Sequence, residues 1–201
     1  MKLDNPFMDF ALSFQQRQTS FQTLQHYCRQ FLLIPEILLF IGWHARFCGG
    51  KLTKNKLRGT IVEVNNWHEQ VTQALKQLEQ DAERLGQNYA EIQQEISEEK
   101  CYAQQLEFCI IYDQLASKQN SAEPKAINAR ELFYNLEQYL AVLSMASFPQ
   151  PKILLSILQD ILQQETAEAT QLAREFKQYF DLPLQQRRVG GEQLNLTFEQ
   201  V

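Results

Sequence analysis

His44 and Cys48 are the residues whose types and spacing best suit metal chemistry. They stand four positions apart in an apolar stretch, so they share one face of a helix. An imidazole and a thiolate in this arrangement can ligate zinc. No carboxylate is close by in the sequence, and the whole chain has three histidines. We therefore expect a packed histidine beside a core cysteine, and no metal site.

A run of glutamates offers carboxylate chemistry on a second segment. A di-iron bundle would pair such carboxylates with Glu-x-x-His motifs on two helices, and the chain contains no Glu-x-x-His. The spacing instead predicts one solvated acidic helix face, which is a candidate surface for a partner. Its members are Glu91, Glu95, Glu98 and Glu99.

A basic segment over residues 46–58 offers electrostatic chemistry. Five positive charges fall within thirteen residues, with no acid among them. A small anion, a nucleic-acid backbone or an acidic protein could dock there, and an ordinary solvated loop is the alternative. Residues 61–120 carry eleven acidic and four basic residues, which argues against a surface dedicated to nucleic acid. The candidate contacts are Arg46, Lys51, Lys54, Lys56 and Arg58.

Catalytic motifs are missing from the sequence. There is no G-x-S-x-G, no P-loop, no G-x-G-x-x-G and no H-E-x-x-H. A Cys–His dyad that uses His26, His44 or His68 is an open alternative, but it has no local signature in the sequence. We expect a protein that is not an enzyme, with no catalytic residue and no cofactor.

The composition favours helices throughout. The 201 residues include 28 Gln, 27 Leu, 18 Glu and 15 Ala, which all lose little side-chain freedom in a helix. Four cysteines without a C-x-x-C pair indicate reduced core thiols. No signal peptide is visible, and the apolar run over residues 31–43 is too short to span a bilayer. The expectation is an all-α, soluble, cytoplasmic protein.

Local signals set the first helices. Asn5-Pro6 predicts a helix start, because Asn is a good N-cap and Pro fits the first turn. Thr19-Ser20 predicts the cap of a second helix. A buried central helix should open at Pro35 and stop at Gly49-Gly50.

A helical hairpin is expected next. Asn66 and Glu69 read as a capping box that opens a new helix. Its heptad seam should contain Trp67, Val71, Ala74, Leu78 and either Ala82 or Leu85. Gly86 should break this helix, and a helix of roughly thirty residues should follow and return antiparallel to it. The predicted seam of the returning helix contains Tyr89, Ile92, Ile96, Ala103, Leu106 and Ile110.

The predicted organisation has four parts. Residues 1–116 form a helical domain, residues 117–126 a linker, residues 127–180 a helical pair packing on the domain, and residues 181–201 a loosely ordered tail. The second helix of the pair should run over residues 152–179.

The first 115 residues resemble a family of small all-helical bacterial proteins known only as conserved hypothetical, a domain of unknown function. The chain departs from it at Met8, where the family has Trp, and at Gln18-Thr19 and Leu33, where it tends to have glycines. The resemblance implies the fold class and a bacterial cytoplasm, and it contributes no site. It rests on Asn5-Pro6-Phe7, Phe10-Ala11-Leu12, residues 21–32, Leu38-Leu39-Phe40 with Trp43, Trp67 with Val71 and Leu75, and the acid-rich residues 88–115.

These observations favour a protein-interaction role, that of an adaptor or a chaperone-like protein. The seamed hairpin can offer its surface to another copy or to a client helix. The alternative is a nucleic-acid- or anion-associated protein that uses the basic segment.

Overall fold

The computed structural model describes residues 4–84, 90–116, 123–163 and 166–181. The chain divides into two compact units, over residues 1–162 and 163–201. Within the described residues all regular structure is helical, with no strand, so the all-α prediction is confirmed. The described part of the first unit holds a bundle of eight α-helices.

The helices follow one another through short connections. In chain order they are α1 (Pro6–Gln15), α2 (Gln18–Phe31), α3 (Pro35–Phe47), α4 (Lys54–Trp67), a π-helical turn (His68–Thr72), α5 (Gln73–Arg84), α6 (Ala90–Leu115), α7 (Ala129–Val142), α8 (Pro151–Leu162) and α9 (Thr166–Asp181).

Several helix ends follow the predicted local signals. The side chain of Asn5 accepts a hydrogen bond from the backbone N–H of Met8 at 2.9 Å, and Pro35 opens α3. Gly49 follows α3 at φ 72°, a left-handed conformation that glycine adopts without strain. The predicted cap at Thr19-Ser20 is wrong, because α2 already begins at Gln18 without a side-chain cap.

α3 is the centre of the bundle, as its apolar composition predicts. Residues 37–45 are all buried. Phe7 of α1 packs edge-on against both Phe40 of α3 and Phe108 of α6, with ring centroids 5.0 and 5.7 Å apart. α8 approaches so closely that a Cβ on Gly42 would collide with Ile161.

The predicted capping box at Asn66 is wrong, since no helix begins there. α4 continues through the π-helical turn into α5. α6 holds this passage in place, because the indole N–H of Trp67 donates to the backbone carbonyl of Ala103 at 2.9 Å. We call the continuous helix over residues 54–84 the rod.

The rod and α6 run antiparallel, as predicted for the hairpin. Thr60 bonds Gln114 near one end, and Glu79 pairs with Lys100 further along. The predicted rod seam is wrong in detail, because Ala74 and Leu78 are exposed whereas Thr72 is buried. The π-helical turn shifts the buried face. On α6, Ile92 is likewise exposed. The predicted Leu85, Gly86 and Tyr89 lie outside the described residues.

The later helices differ from the prediction in one respect. α7 packs against α3 and α4, and α8 against α2 and α3. The single helix predicted over residues 152–179 is wrong, because α8 ends at Leu162 and Gln163 adopts φ 50°. Within α9, the rings of Phe176 and Phe180 are tilted by 36° with their centroids 4.4 Å apart. Most of the predicted linker, residues 117–122, and the predicted tail from residue 182 lie outside the described part of the chain.

Candidate functional site: a two-helix arm and its polar joint

A buried carboxylate lies where the π-helical turn crosses α6. Glu107 is 2% exposed and accepts a hydrogen bond from the hydroxyl of Thr72 at 2.7 Å. Nδ1 of His68 lies 3.0 Å from the same oxygen. We call Glu107, His68, Thr72 and the adjoining Gln73 the joint. π-helical turns recur at functional sites, which makes the joint a candidate.

The hydrogen bonds assign the tautomer of His68. The side-chain amide of Gln73 lies 2.8 Å from Nε2 and can only donate through its nitrogen. Nε2 is therefore the acceptor, and Nδ1–H donates to Glu107. Because the hydroxyl of Thr72 also donates to Glu107, it is not aimed at the imidazole as a nucleophile. These hydrogen bonds orient the π-helical turn on α6 and stabilise it there.

A second carboxyl lies near the joint, at the start of α3. Burial, followed by the negative charge of Glu107, raises the pKa of Glu36 to about 7. Its own backbone hydrogen bond and His68 act in the opposite direction. The Glu36 carboxyl therefore changes charge near neutral pH, close enough to Glu107 and His68 to interact with their charges.

Beyond the joint, α5 packs mainly on α6 and the π-helical turn. We call residues 73–84 and 90–100 the arm. Leu78 and Ile92 of the arm are 52% and 49% exposed. Leu78 stands four residues before buried Ala82 on α5, and Ile92 stands four residues before buried Ile96 on α6. Ala82 and Ile96 mark the line along which the two helices touch. Because the helices are antiparallel, residues at the same spacing from that line lie on the same face of the arm.

The predicted acidic residues are all exposed on α6. Glu99 stands four residues before buried Ala103, so it shares the face of Leu78 and Ile92, and Glu95 lies one turn before it. We call Leu78, Ile92, Glu95 and Glu99 the arm face. The helical spacing directs Glu91 and Glu98 away from α5, so the structure brings only two of the four predicted glutamates to the arm face.

The predicted basic residues do not form one patch. The guanidinium of Arg46 reaches the backbone carbonyl of Lys125 at 3.5 Å, and the ammonium of Lys51 lies 5.0 Å from the ring centroid of Tyr134. Lys54 and Arg58, four apart, share one side of α4, whereas Lys56 points to the other side.

The predicted pair of His44 and Cys48 is buried, as expected for core residues. Burial, only partly opposed by Glu131, lowers the pKa of His44 to about 4. Its Nδ1 has no hydrogen-bond partner in the described part of the chain. Burial raises the pKa of both Cys28 and Cys109, which disfavours the reactive thiolate. Among the described residues no three His, Cys, Asp or Glu side chains are grouped to hold a metal ion.

Two polar residues of α7 that sequence reasoning missed hold the loop after α3. Glu131 accepts from the backbone N–H of Gly50 at 2.6 Å. Asn135, fully buried, accepts from Leu52 at 2.7 Å and donates to the carbonyl of Gly50 at 3.1 Å. More than eighty residues separate the partners, so no local pattern indicates these contacts. Glu107 was also missed, although an acid beside the apolar run of residues 108–111 is a usable signal.

Comparison with known proteins gives no match to a family model, a curated protein or a solved structure. The family resemblance of the first 115 residues therefore stays a prediction. None of the helices in the described ranges is both long and apolar enough to cross a membrane.

Proposed function

We propose that this is a non-enzymatic protein-interaction protein, adaptor or chaperone-like, which docks partners on the arm face. The observation that supports this is the exposure of Leu78 and Ile92 on one face beside Glu95 and Glu99. Apolar side chains flanked by charges of one sign suit an amphipathic helix that carries Lys or Arg beside its apolar stripe.

The energetics agree with a modest, selective contact. Fully burying a Leu or Ile side chain stabilises by about 1.5–3 kcal/mol, and these two are already about half buried. The two apolar residues therefore contribute roughly 1 kcal/mol each. The glutamates add little affinity in water, but they select basic over acidic partners and accelerate association.

A labelled synthetic helix tests the proposal directly. The probe is an 18-residue peptide with leucines on one face and lysines on the other, and its binding is followed by fluorescence anisotropy. We expect saturable binding that Leu78→Ser with Ile92→Ser weakens about tenfold. The matched control is Val71→Ser, because Val71 is partly buried near the joint and lies off the arm face.

A second peptide tests the contribution of charge. The same peptide with glutamate in place of lysine should bind at least tenfold more weakly to the protein, because Glu95 and Glu99 repel it. Equal binding of the two peptides, or unchanged binding by the Leu78 and Ile92 variant, would overturn the proposed function.

The nucleic-acid or anion alternative has less support. Arg46 and Lys51 lie against residues of the first unit, and Lys56 diverges from Lys54 and Arg58. A gel-shift titration against salt tests it, since phosphate contacts make affinity fall steeply with salt.

A further inference from the structure

The exposed side of α4 is chemically complementary to the arm face. Lys54, Arg58 and Val62 follow one another at intervals of four, so they form one stripe along the helix. Val62 is 53% exposed and Arg58 is exposed. We call these three residues the α4 stripe. It pairs two cations with an exposed apolar residue, and the arm face pairs two anions with two exposed apolar residues.

The two surfaces of one molecule cannot touch each other. Both belong to the rod and α6, and the rod is continuous from α4 through the π-helical turn to α5. At 1.5 Å per residue, Arg58 and Leu78 are separated by about 30 Å along the rod. An ion pair requires an approach of about 4 Å. The α4 stripe can therefore meet an arm face only on another molecule.

We propose that two copies of this chain associate antiparallel, with the α4 stripe of each copy on the arm face of the other. This rests on the proposed function, because it names a second copy as the carrier of the basic amphipathic helix. Residue 68 is midway between Arg58 and Leu78, so the two-fold axis passes beside the π-helical turn. The pairing of stripe and arm face then occurs twice, as two-fold symmetry requires.

Registers along the rod agree with this arrangement. With the two-fold axis beside residue 68, Val62 of one copy lies at the same height along the rod as residue 74 of the other copy, close to exposed Leu78. Lys54 is level with residue 82, whose carbonyl bonds Gln93 of α6, so Lys54 meets the part of α6 that carries Ile92 and Glu95. Lys54 thus falls near the height of Glu95, and Val62 lies about 6 Å along the rod from the level of Leu78.

Charge reversal tests the dimer by sedimentation equilibrium. We expect Glu95→Lys with Glu99→Lys, and separately Lys54→Glu with Arg58→Glu, to raise the dimer dissociation constant at least tenfold. Mixing the two variants should restore a dimer, because each basic arm face then meets an acidic stripe and each acidic arm face a basic one. Raising salt from 0.1 to 1 M should weaken the wild-type dimer, because screening shortens the range of these attractions from about 10 to 3 Å.

Glu83→Lys is the control for charge reversal elsewhere on the arm, because Glu83 is exposed one residue after buried Ala82 and so faces the other side of the arm. It should leave the dissociation constant unchanged. Circular dichroism and thermal unfolding verify that every variant is folded.

A monomeric wild type at 200 µM, or a mixture of variants that fails to associate, would overturn the dimer. The Lys54→Glu, Arg58→Glu variant separates this result from the proposed function, because its arm face is unchanged and not occupied by a second copy. If this variant binds the lysine peptide while the wild type stays monomeric, the arm docks a basic helix but not its own copy.

Discussion

His68 and Glu107 lie 39 residues apart in the sequence, and Nδ1 of the first stands 3.0 Å from Oε1 of the second. The contact fixes the imidazole on α6, at the point where α4 gives way to α5. An almost fully buried carboxylate is costly unless its oxygens accept hydrogen bonds. Loss of a hydrogen-bond donor to Glu107 should therefore destabilise the fold.

Thr72→Val tests that statement with little change in shape. We expect the free energy of unfolding to fall by about 1.5–3 kcal/mol, because Glu107 loses a hydrogen bond to a charged group. Gln73→Ala, which removes only the exposed partner of His68, should cost less than 1 kcal/mol. Urea unfolding monitored by circular dichroism measures both. Equal effects of the two variants would contradict the role of Glu107 as the centre of the joint.

Glu36 makes stability depend on pH. Its pKa is raised to about 7 from 4.5, so the folded state binds the proton more tightly than the unfolded chain. The contribution of Glu36 to the free energy of unfolding is fully present below pH 4.5. It is lost as pH rises to about 7, and the loss is roughly 3 kcal/mol. Glu36→Gln should remove this decline and be more stable than wild type at pH 8. An unchanged profile from urea titrations at several pH values would reject this prediction.

His44 contributes a slope of the opposite sign. Its pKa is lowered to about 4 from 6.5, so the unfolded chain binds the proton more tightly. The contribution of His44 to the free energy of unfolding is fully present above pH 6.5 and is lost as pH falls to about 4. His44→Leu should abolish that loss, and the thermal midpoint measured between pH 4 and 7 reports it.

The two titrations largely offset each other between pH 4.5 and 6.5. Each single variant should therefore expose the slope of the other residue: Glu36→Gln should lose stability toward acid, and His44→Leu toward neutral pH. Parallel profiles for the two variants would contradict the assignment of opposite signs.

Gly42→Ala should destabilise the bundle by about 1–3 kcal/mol, because the new methyl group overlaps the side chain of Ile161 on α8. Gly59→Ala is the matched control. Gly59 also lies within a helix but has no atom within 4 Å of the added Cβ. There, replacement should stabilise by about 0.5–1 kcal/mol through helix propensity. Thermal unfolding of both variants gives the comparison, and effects of the same sign would contradict it.

Several helix ends could be predicted from the sequence because their signals are local. Asn5 and Pro35 act within a single turn, and Gly49 supplies the left-handed residue that ends α3. The capping box at Asn66 and Glu69 failed, although it has the right residues in the right order. An N-cap stabilises a helix start by about 0.5–2 kcal/mol, and the combined contacts of Trp67, His68 and Thr72 with α6 outweigh it.

The candidate site was predicted only in part. The glutamates of α6 could be placed on a helix surface from their spacing. Which of them flank exposed apolar residues depends on how the rod rotates against α6, and that is set by the π-helical turn. Asn135 was beyond reach, because its partners Gly50 and Leu52 lie in a loop more than eighty residues away.

The π-helical turn also determines which deletions this protein tolerates. Leu57 and Val64, buried residues of the rod, stand seven positions apart, and so do Thr72 and Glu79, which contact α6. Eight positions, however, separate Val64 from Thr72. The turn accommodates that extra residue. Removing Gln70 would leave an uninterrupted α-helix with its inward side chains still in register. Removing Gln77, seven positions later, would instead rotate all that follows by about 100° and turn Ala82 away from α6.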